Sequence, residues 1–118
     1  MNKRSVLNEL KKECQKYKAY LREQKQILPR DGLIDKKLKS IRSLLKHLSH
    51  SNIQNALVGF NYALKQEKKI LSSPRYQGTT FMKKLQYILY QLPGIGRLFM
   101  PKGARLSEKL WHLHETAP

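Results

Sequence analysis

The first apolar repeat of the chain places one residue at every third or fourth position, with polar residues between. It comprises Leu7, Leu10, Cys14, Tyr17, Leu21, Gln24 and Leu28. This is the seam of a helix packed on another helix, and it predicts a first helix from Ser5, as its cap, to Leu28. Pro29 and Asp31-Gly32 end it. Three heptads are near the minimum for a two-chain coiled coil, so a bundle within one chain is favoured over a homodimer through this helix.

A second apolar stripe predicts a helix that starts after an Asp35 cap and continues through Ser49. The stripe consists of Leu38, Ile41, Leu44, Leu45 and Leu48. At 100° per residue the opposite arc carries four cations, namely Lys36, Lys39, Arg42 and Lys46. The second helix should therefore bury its leucines and present a basic ridge to solvent.

Three further helices complete the predicted fold. The third begins near Asn52, after a Ser51–Gln54 capping box, and ends near Leu71. The fourth begins after a Thr79 or Thr80 cap and reaches Leu92, and a short last helix covers about 104–114. No alternation typical of strands is present. The expected fold is all-α, a single-domain bundle over 1–118 with four longer helices and a short C-terminal helix.

Charge is the unusual property of the composition. Lys and Arg total 24 against 8 Asp and Glu, a formal net charge of +16. Fourteen of the cations, against five acids, lie in residues 1–46. Such self-repulsion favours a polyanionic partner: nucleic acid, anionic lipid or an acidic protein surface. A solubility or localisation effect is the alternative.

Little else in the sequence indicates a compartment. The single cysteine, Cys14, cannot form an internal disulfide, and the region after Met1 lacks the order of a secretory signal. No run reaches the ~18 apolar residues of a membrane span. We expect a cytoplasmic protein, or one in a host-cell cytosol if it is a secreted effector.

The tightest turn signal is Leu92-Pro93-Gly94-Ile95-Gly96, within the most apolar run of the chain. Residues Leu89–Gly96 resemble the hairpin of helix-hairpin-helix DNA-binding proteins, in which a leucine-bearing helix runs into LPGIG. The resemblance implies that the backbone N–H groups of Gly94, Ile95 and Gly96 hold a DNA phosphate without regard to sequence. A Gly-rich turn that leads into a helix is a good anion site, and Arg97 lies beside it.

Two residues depart from that family's pattern. Met100 stands where the family has a small residue, and Pro101 follows it. The alternative is an ordinary Pro-Gly helix stop with Ile95 in the core. Leu98, Phe99 and Met100, between helix breakers, form a possible apolar anchor.

The sequence contains no clear pattern for metal binding or catalysis. His47 and His50 share one side of a helix, but no partner pair with zinc-like spacing appears, so neither a metal nor another cofactor is expected. No nucleophile with a base and no carboxylate pair is recognisable, so the protein is not expected to be an enzyme. Cys14 and most of the aromatic residues of the C-terminal half are expected in the core.

The leading hypothesis is a non-enzymatic helical module that binds a polyanion, most simply nucleic acid with little sequence specificity. Lys36, Lys39, Arg42 and Lys46 supply electrostatic affinity, and the Gly94–Arg97 turn holds a phosphate. The chain also resembles, in the texture of its Leu- and Lys-rich helices, helical effectors secreted by intracellular bacteria. The alternative is therefore an effector or adaptor that docks on anionic membrane or a host protein through its basic face and the 94–100 turn.

Overall fold

The computed structural model describes residues 2–91, which form four α-helices and one short 3-10 helix. The helices are α1 (Lys3–Ile27), α2 (Gly32–Leu48), α3 (Ile53–Leu71) and α4 (Gly78–Tyr90), and the 3-10 helix is Arg75–Gln77. No strand occurs in this part of the chain, so the all-α prediction is confirmed for it. The predicted short last helix lies outside the described residues.

One apolar cluster holds the four helices together. It draws apolar residues from all four helices, and Cys14, Leu10, Ile41 and Phe60 are completely buried in it. The α1 seam packs inside the chain, as the bundle interpretation predicts. The last two predicted seam residues are the exceptions: Gln24 is only partly buried, and Leu28 is 45% exposed in the loop after α1. The buried part of the seam ends at Leu21.

Short connections set the order of the helices around the core. α2 packs mainly against α1 and α3, whereas α4 packs mainly against α1 and to a lesser degree against α3. Loops of about four residues join α1 to α2 and α2 to α3, which makes each pair antiparallel. The outer faces of α2 and α4 are therefore separated by α1 and α3.

The predicted caps are wrong for all four helices. Asn2, Asp31 and Asn52 cap α1, α2 and α3, each with extended backbone and with a side-chain oxygen that accepts a helix N–H within 2.9 Å. Ser5, Asp35 and Ser51 do not have this role. Gln77 precedes α4 and makes no side-chain cap hydrogen bond. Each true cap lies within four residues of the predicted one, and at the first three helix starts several Ser, Asp and Asn residues compete.

The corner before α4 is built from two residues in the left-handed region. Tyr76 has φ 57° and Gln77 has φ 55°, so α4 begins at Gly78 rather than after Thr79 or Thr80. This conformation costs roughly 1–2 kcal/mol per L-residue. The hydroxyl of Tyr17 offsets part of the cost by donating to the Tyr76 carbonyl at 2.8 Å. The Tyr76 hydroxyl in turn donates to the carboxylate of Asp31.

Candidate nucleic-acid interface

The four predicted cations of α2 lie on its exposed face. We call Lys36, Lys39, Arg42 and Lys46 the α2 ridge; all four side chains are exposed, and they lie on the arc opposite the buried stripe of Ile34, Leu38, Ile41, Leu44 and Leu48. None of them forms an ion pair or a side-chain hydrogen bond within residues 2–91. Because the exposed positive charges have no acidic partner there, their field is directed outward.

Polar contacts on each side of α2 fix how the ridge is oriented in the bundle. Towards α1, Asp35 accepts from the Lys25 ammonium at 2.6 Å. Towards α3, the Ser40 hydroxyl donates to Glu67 at 2.6 Å. Asp35 lies in line with Arg42 and is paired with Lys25, and Glu67 is engaged by Ser40, so neither acid pairs with a cation of the ridge.

Lys37 is adjacent to the ridge in sequence, but its side chain is buried rather than exposed. Its side chain is completely buried, and its Nζ donates to the carbonyl oxygens of Leu71 at 3.1 Å and Ser73 at 3.0 Å. Carbonyls at a helix C-terminus lack intrahelical partners and carry partial negative charge, which suits an ammonium group. Burial lowers the pKa of Lys37 to about 8.

The sequence contains a signal for Lys37 that the interpretation of α2 missed. Lys37, Ile41, Leu44 and Leu48 follow one another at steps of four, three and four, so Lys37 belongs to the apolar stripe. A long side chain can lay its methylene stem along such a stripe, but the charged end then needs a specific partner. The end of α3 provides that partner, so Lys37 is structural.

Asp31 joins the start of α2 to the corner before α4. One carboxylate oxygen caps α2 at the N–H of Leu33, and the other accepts from Tyr76 and Arg75. The hydrogen bond from Tyr76, followed by the Leu33 N–H and the Arg75 charge, lowers the pKa of Asp31 below its ordinary value. Arg75 is thereby paired with an acid, unlike the cations of the α2 ridge.

α4 exposes two tyrosines, contrary to the expectation that the C-terminal aromatics are core. Tyr87 and Tyr90 are each 69% exposed, and the exposed Lys83 and Lys84 precede them on the same helix. Phe81, Leu85, Ile88 and Leu89 of the same helix are buried. α4 therefore has an aromatic and basic outer face at a distance from the α2 ridge.

A cleft of about 130 Å³ lies between α1 and α4. Glu13 and Lys16 line it from α1, and Thr80 and Lys84 from α4, over the stacked rings of Tyr17 and Phe81 with centroids 3.9 Å apart. The volume is below the ~300 Å³ of a typical small-molecule site. Its mixed charge gives no preference for a polyanion.

Within residues 2–91, His47, His50 and Cys14 have ordinary structural positions. The His50 ring accepts from the Asn52 N–H at 3.0 Å, and the His47 ring lies against Gly59, where an added Cβ would come within 2.7 Å of its Nδ1. Cys14 is buried as predicted, and burial raises its thiol pKa to about 12. Across residues 2–91 no three His, Cys, Asp or Glu side chains converge as metal ligands.

The remaining predicted site residues lie outside the described residues. They are Gly94, Ile95, Gly96 and Arg97 of the proposed phosphate-holding turn, and Leu98, Phe99 and Met100 of the possible apolar anchor.

Comparison of the chain with protein-family models, with curated proteins and with solved structures produced no match. Between residues 2 and 91 no helix has both the length and the apolar character needed to cross a bilayer.

Proposed function

We propose that the protein is a non-enzymatic helical module that binds nucleic acid through phosphates, with the α2 ridge as its principal contact surface. The observation that carries the proposal is that the ridge presents four exposed cations with no acidic partner in the described part of the chain. Phosphate contacts by Lys and Arg supply affinity independent of base sequence, because each contact releases counterions condensed on the nucleic acid.

The rigidity of α2 supports the same function. Ile34, Leu38, Ile41, Leu44 and Leu48 fix one side of the helix in the core, and Asp31 fixes its start. The cations of the ridge are thereby held at helical spacing before any ligand arrives. A pre-formed surface avoids the ordering cost that a disordered basic segment would incur on binding.

A pair of matched variants tests the proposal. Lys39→Gln/Arg42→Gln removes two charges from the ridge, and Lys65→Gln/Lys68→Gln removes two exposed charges from α3. Fluorescence anisotropy with a labelled mixed-sequence DNA should show weakened binding for the ridge variant and near-normal binding for the α3 variant. Equal weakening in both would show that only total charge matters, and no binding by the parent protein would reject the proposal.

The Gly94–Arg97 turn is a second proposed phosphate contact, supported only by its sequence. Valine at Gly94 or Gly96 would block close approach of the backbone to a phosphate. If the turn acts as the helix-hairpin-helix resemblance implies, Gly96→Val lowers DNA affinity without changing the stability of residues 2–91. Unchanged affinity would leave the turn as a helix stop.

One observation favours the alternative, docking on an anionic membrane or a host protein. Tyr87 and Tyr90 are exposed beside Lys83 and Lys84, and tyrosine with lysine is a combination found at membrane interfaces. Sedimentation with vesicles, with and without anionic lipid, separates this function from the first. Polybasic attraction contributes about 1 kcal/mol per cation near such a surface, so binding only to anionic vesicles, lost in Tyr87→Ala/Tyr90→Ala, would support it.

A further inference from the structure

The side of α1 that faces α2 carries only positive charges, whereas the glutamates of α1 lie on its other side. The Lys25–Asp35 contact shows which flank faces α2, and at 100° per residue Lys11 and Lys18 lie along the line of Lys25 at steps of seven. Arg22 lies on the same flank. This α2-facing flank carries no acid.

All three glutamates of α1 belong to the other side. Glu13 and Lys16 line the cleft against α4, and Glu13 pairs with Lys16 at 3.9 Å. Glu9 lies one turn before Glu13, and Glu23 lies two turns beyond Lys16. The acids of α1 therefore do not reduce the positive field beside the α2 ridge.

Antiparallel packing brings the basic flank of α1 level with the ridge. Lys25 of α1 contacts Asp35 of α2, so these two residues are at the same level of the bundle. Lys18 precedes Lys25 by seven residues, and Arg42 follows Asp35 by seven. Because the helices are antiparallel, both lie about 10 Å further along in the same direction. A second step of the same length leads to Lys11 on α1, close to the level of Lys46 on α2. We call Lys11, Lys18, Lys39, Arg42 and Lys46 the α1–α2 face; it extends roughly 20 Å along the bundle.

The α1–α2 face contains no aromatic residue. Among residues 2–91, α2 has no Phe, Tyr or Trp, and Tyr17 and Tyr20 of α1 lie on the side of the α4 cleft. In the described part of the chain the strongly exposed aromatics are Tyr62 on α3 and Tyr87 and Tyr90 on α4. Proteins that bind single strands combine basic charge with aromatic platforms on which bases stack. The α1–α2 face has the charge without the platforms.

From this arrangement we infer that the α1–α2 face binds double-stranded nucleic acid by its phosphate backbone, in preference to single strands. The inference rests on the proposed function and specifies its ligand class. Duplex DNA offers one negative charge per ~1.7 Å of axis, which is dense enough to meet every cation along a straight 20 Å face. A duplex is also stiff over this length, so it matches a surface held rigid by two packed helices.

The test compares a 20-base-pair DNA duplex with one of its own strands, by fluorescence anisotropy at 0.1 M salt. Three proteins are used: the parent, Lys11→Gln/Lys18→Gln, and Lys65→Gln/Lys68→Gln as the control with equal total charge. Lys65 and Lys68 are exposed on the flank of α3 away from α2, and screening limits their influence beyond ~10 Å. Circular dichroism establishes that all three proteins are folded.

The parent should bind the duplex more tightly than the single strand. Lys11→Gln/Lys18→Gln should lose about tenfold or more in duplex affinity, and the control should stay within about twofold of the parent. Equal or tighter binding of the single strand, or equal effects of the two double variants, would overturn the inference while the proposed function stands. Binding of neither ligand by the parent would overturn both.

Discussion

The ammonium nitrogen of Lys37 lies 3.1 Å from the carbonyl oxygen of Leu71, the last residue of α3. The same nitrogen bonds the Ser73 carbonyl at 3.0 Å, so one side chain from α2 satisfies the end of α3 and the loop that follows it. α2 therefore has two kinds of lysine. Lys37 holds the bundle together from inside, and the α2 ridge faces outward for the proposed ligand.

Replacing Lys37 should destabilise the protein, although it lowers the net positive charge and with it the self-repulsion of the chain. In Lys37→Met the methylene stem is roughly kept, but two carbonyls lose their donor, which costs about 1–3 kcal/mol in the free energy of unfolding. Urea denaturation at pH 10, where the Lys37 amine of the folded protein is neutral and its burial penalty is largely absent, measures the loss. Lys36→Met, at the adjacent exposed position, is the matched control and should change stability little. Equal stabilities of the two variants would contradict the structural role of Lys37.

Stability should also depend on pH through Lys37. Its pKa is about 8 in the folded protein and 10.5 ordinarily, so between these values the unfolded chain binds more protons. The free energy of unfolding then rises with pH, by on the order of 3 kcal/mol over the full interval. Below pH 8 the burial penalty is fully present, and above pH 10.5 it is absent.

The difference between the parent and Lys37→Met isolates this effect. The buried Cys14 thiol acts in the opposite direction above its ordinary pKa of 9.0, but it is common to both proteins and cancels. The stability advantage of the parent over Lys37→Met should increase from pH 7.5 to pH 10. A constant difference would show that Lys37 is not desolvated as the structure indicates.

Position 78 must be glycine because three atoms occupy the space that a Cβ would fill. A Cβ there would lie 2.0 Å from the Ser73 oxygen, 2.4 Å from the Leu71 oxygen and 2.5 Å from the Lys37 nitrogen. Gly78→Ala should destabilise by about 3 kcal/mol or more, since backbone must move. Gly32→Ala is the control: nothing lies within 4 Å of its added Cβ, so it should stabilise by up to about 1 kcal/mol. Thermal unfolding of both variants tests the contrast, which a loss of stability in both would contradict.

Asp31 should make the bundle sensitive to acid. Its pKa is lowered by Tyr76, the Leu33 N–H and Arg75, so the stability it contributes is present above its ordinary pKa of 3.8 and is lost as pH falls below that value. Asp31→Asn should be less stable than the parent at pH 6. The difference should shrink towards pH 2.5, as urea midpoints at several pH values would show. An advantage that persists unchanged at pH 2.5 would assign the effect of Asp31 to packing.

Periodicity predicted the surfaces of the helices better than their ends. Lys39 and Arg42 were placed correctly on the exposed face because the apolar residues of α2 fix its rotation, and fixing one face fixes the other. Lys37 was missed because its partners, Leu71 and Ser73, belong to another helix and its loop. The place of Lys37 in the apolar stripe is a local signal that its side chain is buried, but the sequence does not identify a partner 34 residues away.

The corner before α4 was also beyond prediction, for a different reason. Tyr76 and Gln77 adopt a conformation that sequence rules reserve for Gly and Asn. Two tertiary hydrogen bonds stabilise it: the Tyr17 hydroxyl donates to the Tyr76 carbonyl, and the Tyr76 hydroxyl donates to the Asp31 carboxylate. The position of Gly78, and through it the packing of Lys37, follows from these contacts rather than from local propensity.

The central claim, that the α2 ridge binds phosphates, is tested most directly by the salt dependence of DNA binding. Measured between 50 and 300 mM salt, the logarithm of the association constant should fall linearly with the logarithm of salt concentration. Because each phosphate contact contributes roughly −0.9 on a duplex, Lys39→Gln/Arg42→Gln should make the slope shallower by about 1.8. A slope identical to that of the parent, or binding by the parent that does not depend on salt, would contradict the account.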